Sequence, residues 1–182
     1  MINNIIPITG TILFLLFSCS KNESISPNYY SGTAYALKNG EKWITKVAMK
    51  QNKFTNENSY NLLFDYFNNQ GIIRQRLALY KIPTNIATHA LFDTSPNLDD
   101  GLVGAQFFTR ADDGDVLEDI YLVVEDSIWS CVEITSIHSN SGTYSGSFKV
   151  KLYIDPNRPK INPNNPDTII LEKGLFEVKL QE

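Results

Sequence analysis

The side chains best suited to chemistry in this sequence are loop carboxylates. Asp112-Asp113-Gly114-Asp115, followed by Glu118 and Asp119, places five acids within eight residues, and Asp99-Asp100-Gly101 adds a second pair. Calcium takes six to eight oxygen ligands, so acids gathered around a glycine are the right type. The spacing departs from that of an EF-hand loop, and Asp-Gly pairs are also what tight turns use. Solvated turns are the expected reading, with calcium as the alternative. Two acids acting on a glycosidic bond need a set separation, which nothing in the chain supplies. The two histidines, His89 and His138, sit near strand ends with no motif around them. No Gly-x-Ser-x-Gly elbow, His-Glu-x-x-His pair, P-loop or Gly-x-Gly-x-x-Gly fingerprint occurs, so the parts of a nucleophile, base and orienting group are missing from the local sequence. Cys131 lies in the strand-like run Trp129-Ser130-Cys131-Val132-Glu133-Ile134, with no His, Lys or Arg within several residues to lower its pKa. It reads as a small buried hydrophobe rather than a reactive thiol, and with two histidines it falls short of a structural zinc set. The expectation is no catalytic residue, no metal and no cofactor. Tyr29, Tyr30, Tyr35, Trp43, Tyr60, Tyr66 and Tyr144 contain the material for a sugar-stacking platform, but aromatics in alternating strands belong first to a core.

A second kind of chemistry centres on Cys19. Residues 8–17 form an apolar run of Ile-Thr-Gly-Thr-Ile-Leu-Phe-Leu-Leu-Phe. That is shorter than the roughly 20 residues a spanning helix needs and suits a signal-peptide core. The run ends in Leu16-Phe17-Ser18-Cys19, which resembles the lipobox of bacterial lipoproteins. An apolar residue stands at −3 and a small one beside the cut, and the cysteine thiol is the nucleophile that takes a diacylglyceryl group. Phe17 is bulky for position −2, although Phe is common there in Bacteroidetes-type lipoproteins, and residues 1–4 carry no Lys or Arg. Residues 1–18 are therefore expected to be a signal peptide and Cys19 the lipid attachment site. Two or more acyl chains, at about 0.8 kcal/mol per buried methylene, hold a protein stably on a membrane. Residues 20–31 are polar and contain Pro27, so 19–31 reads as a lipidated cysteine with a flexible tether. Cys19-Ser20-Lys21-Asn22-Glu23 also resembles the surface-export signal of Bacteroidetes lipoproteins, with Asn22 in place of one acid. The expected address is the cell envelope, at the outer membrane and with a lean toward surface display.

These residues must be positioned by whatever follows residue 31. The full chain has 182 residues and a net charge of −4, enough for one domain with a real core. A mildly acidic chain without a Lys/Arg cluster lacks the electrostatic footprint of a nucleic-acid binder. Period-2 alternation dominates. In residues 148–154, Phe148, Val150, Leu152 and Ile154 share one face against Lys149, Lys151 and Tyr153. In 175–180, Phe176, Val178 and Leu180 oppose Glu177 and Lys179. If these two strands pair, Lys149 and Lys151 are expected across from Glu177. Further strands are expected over 33–37, 42–50, 59–67, 72–82, 87–92, 104–109, 120–124 and 131–137. Turn residues fall between them at Asn39-Gly40, Asn68-Asn69-Gln70-Gly71, Asp112 to Asp115 and Asn140-Ser141-Gly142. Residues 116–121 suit either a strand or a helical turn. Residues 155–167 hold four prolines and read as a long exposed loop. The expected fold is all-β: a single antiparallel β-sandwich or barrel-like domain of about ten short strands over 32–182.

Three motifs then carry a resemblance. Asn39-Gly40-Glu41-Lys42-Trp43, Ser141-Gly142-Thr143-Tyr144-Ser145-Gly146-Ser147-Phe148 and Lys173-Gly174-Leu175-Phe176-Glu177-Val178 are similar in kind and order to those of a family of small Bacteroidetes lipoproteins of unknown function. In this chain Glu41 and Lys42 lengthen the first motif by one residue. The resemblance implies the all-β fold and the envelope compartment, and it brings no activity with it. The expected function is a non-enzymatic binding or adhesion module, anchored to the membrane by lipid, with a glycan or protein as ligand. The alternative is an envelope-structural or accessory subunit of a complex, followed by a hydrolase using loop carboxylates.

Overall fold

The computed structural model describes residues 29–53, 58–126 and 129–181. Cys19, the expected signal peptide of residues 1–18 and most of the expected tether lie outside them. Ten strands follow in chain order: β1 Gly32–Lys38, β2 Glu41–Gln51, β3 Ser59–Phe67, β4 Ile73–Pro83, β5 Thr88–Ala90, β6 Gly104–Arg110, β7 Leu117–Val123, β8 Cys131–His138, β9 Thr143–Ile154 and β10 Thr168–Gln181. Every expected strand is present. The ambiguous stretch at 116–121 resolves as the start of β7, paired with β6 through Arg110 and Leu117.

Eight strands close a ring in the order β1, β2, β3, β4, β6, β7, β9, β10 and back to β1. The fold is thus barrel-like rather than two separate sheets. β9 is the branching strand. Its C-terminal end pairs β7 through Leu152, Tyr153 and Ile154, while its N-terminal half pairs β8, and β8 carries β5 on its other side. Ser130 sits buried at the fork, donating to the Val124 carbonyl at 3.1 Å and accepting from the Lys151 amide at 3.3 Å.

Alternation sends one face of each strand inward, as in other eight-stranded barrels whose interiors are just wide enough to be filled by side chains. Trp43, Val47, Met49, Phe64, Leu77, Leu79, Phe107, Tyr121, Val150 and Phe176 form one continuous core. Two aromatic groups organise it: Trp43 leans on Phe107, which meets Tyr121 edge-on at 5.8 Å, and Phe64 packs against Phe148 at 4.9 Å and edge-on against Phe176 at 5.8 Å. Gly146 makes this possible. A Cβ there would lie 2.2 Å from the Glu133 carbonyl oxygen and 2.5 Å from the Phe176 ring. Pairing on both sides, with β8 and with β10, continues β9 back through this run to Thr143.

One register expectation is corrected. β9 and β10 do pair, but Glu177 faces Ser145, Lys151 faces Ile170, and Lys149 faces Cys131 of β8. The offset follows from where β10 begins, with Thr168 opposite Tyr153, and a bulge between Leu171 and Gly174 adds one residue to β10 and shifts the pairing beyond it by one more. Alternation alone fixes which face a residue takes, not where along the partner strand it lies.

The chain enters the barrel at one end. Ser31 donates its amide to the Val47 carbonyl at 3.1 Å and accepts from the Lys179 amide at 3.3 Å. The connections at 39–40, 68–72, 111–116 and 155–167 gather at the opposite end.

Candidate functional site

Cross-strand register lays out the outer face of the barrel. Ile44 of β2, Tyr35 of β1 and Leu175 of β10 are directly opposed neighbours, and all three are exposed, at 52%, 38% and 61%. The same row continues through Ser147 of β9, Glu133 of β8 and Thr88 of β5. A contiguous apolar strip therefore runs into a polar one.

Where they meet, the bulge in β10 opens a groove of about 440 Å³, with Glu133, Ser147, Lys149, Lys173, Leu175 and Cys131 among its walls. Lys173 adopts a left-handed backbone conformation, φ 53°, uncommon for a residue with a side chain. Gly174 follows it and stays bare because a Cβ would meet the Phe148 carbonyl oxygen at 2.6 Å and its ring at 2.7 Å. The Ser147 hydroxyl donates to Glu133 at 3.2 Å. Lys149 extends toward Trp129, its amine 5.8 Å from the ring centre, and Trp129 is 41% exposed. Cys131 is a half-buried free thiol on this wall, opposite Lys149.

A second polar cluster lies outside the wall of β2, β3 and β4. Asp65 is fully buried although it points away from the core, because residues 29 and 30 cover it. Arg76 grips it in bidentate fashion at 2.6 and 2.8 Å, and the Tyr30 hydroxyl donates to it at 2.6 Å. Burial first, then the bond to Asp65, pushes the Tyr30 phenol well above its ordinary pKa. Tyr29 stacks edge-on against Tyr30 at 4.8 Å, with the Lys50 amine 3.9 Å from its ring centre. Residues 29–31, read from the sequence as the end of the tether, are thus strapped to the barrel wall.

Five of the seven loop acids hold a partner through their carboxylates, and Asp99 and Asp115 are exposed. Asp112 pairs with Arg74 at the surface, and Asp113 accepts the Asp115 amide at 3.1 Å within its turn. Asp119 is buried and accepts the Ile161 amide and the Asn165 side-chain amide, both at 2.7 Å. Glu118 accepts from Asn162 at 3.1 Å. These bonds pin the proline-rich loop across the barrel end, with the Tyr121 hydroxyl donating to the Pro166 carbonyl at 2.8 Å. Asp100 is held well below the usual carboxylate range, first by its bond from Lys81, then by Thr94 and the Leu102 amide. Lys81 is itself buried, and its amine reaches Asp100 at 2.5 Å and the Leu98 carbonyl at 2.9 Å. Asp93 is pushed up by burial and then by the charges of Glu125 and Asp155. Among the described residues, no three of His, Cys, Asp and Glu are arranged to hold a metal ion.

The histidines stand apart, on β5 opposite Val132 and at the far end of β8, roughly 20 Å away at strand rise. Burial holds His89 below its ordinary pKa. Of the aromatic set, Trp43 and Tyr144 are buried, and Tyr60 packs on Tyr144 at 5.8 Å. Tyr35 alone of the seven joins the exposed row. The exposed ring beside the groove's Lys149, Trp129, lies outside that set. Its clue was position: two residues before Cys131 in a strand whose even-numbered positions, Val132 and Ile134, face inward.

The role of Asp119 yields a direct expectation. Asp119→Ala should cost about 1–3 kcal/mol, the penalty for unpaired buried donors, and should loosen 155–167 specifically. Cleavage after Lys160 by a lysine-specific protease is the readout. An unchanged cleavage rate at that bond would remove Asp119 as the anchor.

No protein-family model, no curated protein and no solved structure matches this chain.

Proposed function

We propose that this chain is a lipid-anchored protein of the bacterial envelope, held at the outer membrane through Cys19. In this reading its barrel is a non-enzymatic binding module that works from its outer face. The observation that carries it is the contrast between the two faces. The interior is packed with aromatic and branched side chains, while the exterior offers a groove walled by Lys149, Lys173 and Glu133, with the exposed Trp129 ring beside Lys149, and continued by the row of Leu175, Tyr35 and Ile44. The anchor supports the same arrangement. Ser31 enters at the end opposite the four long or tight connections, so a tether from Cys19 leaves the groove on the barrel's flank and open to the surroundings. A family of small Bacteroidetes lipoproteins remains the proposed kinship.

The exposed row favours a second reading, in which the protein is an accessory subunit of an envelope complex. Adjacent apolar side chains kept in water commonly mark a protein contact.

Two measurements test these proposals. Mass spectrometry of the N-terminal peptide from native membranes should find Cys19 as a lipid-modified first residue, and Cys19→Ala should move the protein out of the membrane fraction. An unmodified terminus, or a fractionation indifferent to the substitution, removes the anchor. Retention of the purified protein on isolated envelopes then separates the two roles. Binding that survives protease treatment of the envelopes but not periodate supports a glycan-binding module. Binding lost to protease and kept after periodate transfers the protein to the accessory-subunit reading.

A further inference from the structure

Resting on the binding-module reading, we propose that the groove across β8, β9 and β10 binds a carboxylate-bearing oligosaccharide. Charge is the first argument. The protein as a whole carries −4, yet this groove is locally positive. Lys149 and Lys173 both line it, and among the described residues neither enters an ion pair. The acid in its wall, Glu133, already accepts the Ser147 hydroxyl. Lys151 adds a third amine on the same outer face, two residues along β9 and exposed. Positive groups along an apolar wall, here Leu175 and Phe148, focus their field into the groove.

Shape and aromatic chemistry are the second argument. Trp129 presents an exposed ring with the Lys149 amine 5.8 Å from its centre. A pyranose offers an apolar C–H face to an indole and, in a uronic acid, a carboxylate at its edge. Ring and amine side by side match those two features together. An acidic peptide would use the amines and leave the ring idle. The groove volume of about 440 Å³ falls within the range of small-molecule sites.

Backbone geometry is the third. The bulge between Leu171 and Gly174 turns through Lys173 at φ 53°, where a glycine or asparagine would fit with less strain. Bulges re-aim side chains, and this one puts Lys173 on the groove wall. A costly conformation is kept where it delivers a charge to the site.

The test uses the full-length protein in detergent micelles. Its probes are trigalacturonic acid, the methyl ester of the same trimer, and triglutamate, with binding measured by calorimetry. The acid trimer is expected to bind, with affinity that falls as salt rises. The ester and triglutamate are each expected to bind at least about tenfold more weakly. The Lys149→Gln/Lys173→Gln double variant and Trp129→Leu should each lose about tenfold for the acid trimer while keeping the parent melting temperature. Equal binding of acid and ester, triglutamate as tight as the sugar, or no saturation at millimolar trimer would each overturn the proposal. If the trimer fails while periodate-sensitive retention on envelopes persists, only the ligand class falls. If both fail, the module reading falls with it.

Discussion

Asp65→Ala is expected to destabilise the barrel by about 3–5 kcal/mol, the usual cost of leaving a buried charge without its partner. The side chain of Asp65 is wholly buried and that of Arg76 is 21% exposed. Removing the carboxylate strands the guanidinium beneath Tyr29 and Tyr30 and unbinds the Tyr30 hydroxyl. For a domain of this size each kcal/mol moves the melting temperature by about 2–4 °C, so a drop of roughly 10 °C is expected. Arg76→Met on the Asp65→Ala background should restore part of the loss, because it removes the uncompensated charge rather than the packing. Thermal and urea unfolding of the single and double variants measure both steps. A single-variant loss below about 1 kcal/mol, with no recovery in the double, would mean that the pair is not what holds the wall of β2, β3 and β4. Amide exchange at 30 and 31 should rise in the same variant, since Asp65 anchors the strap as well as the pair.

That cluster also marks the limit of what could be read from the chain. The longer strands were legible from their alternation, Ser59–Phe67 to the residue, while the start of β7 stayed open between strand and helical turn and β10 extends back to Thr168, well before the expected 175. Asp65 looked like one more outward polar position in that strand. Only the arrival of residues 29 and 30 buries it, and nothing local announces a contact 35 residues away. The groove was hidden for a related reason. Its walls come from Glu133, Lys149 and Lys173, which join only once β9 lies between β8 and β10. Their approach also depends on a bulge that breaks the period-2 count. Lys81 falls within the expected strand 72–82 with nothing local to set it apart, whereas its left-handed backbone (φ 59°) and its bond to Asp100 accompany its burial. The acids at 112–119 were visible as a cluster, but their division among Arg74, a turn, and the loop at 155–167 required the barrel end to be assembled first.

Trp43 was among the aromatics that a sugar platform would have used, and its substitution should show how far it is from one. The ring is 2% exposed and leans on Phe107 at 6.1 Å. Its indole N–H donates to Gln75 at 3.0 Å, and the same oxygen accepts from Lys38 at 3.0 Å. Trp43→Ala removes a large inward side chain from a filled interior and should cost about 3–5 kcal/mol, the range for emptying an aromatic site in a core. Trp43→Phe keeps most of the packing and loses the N–H, so about 1–2 kcal/mol is expected. Equilibrium unfolding gives the two costs, and their ratio matters more than either. A large loss for Ala with a small one for Phe assigns the residue to packing. Similar losses for both would place the weight on the Gln75 bond. A loss below about 1 kcal/mol for Ala would put Trp43 back among surface rings available to a ligand. The chain has two tryptophans, so in Trp43→Phe all remaining indole emission comes from Trp129. That emission should be red-shifted and readily quenched by acrylamide, as expected for a half-exposed ring. The Trp43 signal lost from the parent should be the blue-shifted, protected component. The opposite assignment would exchange the two residues' roles, moving the core aromatic to the surface and closing the groove's edge.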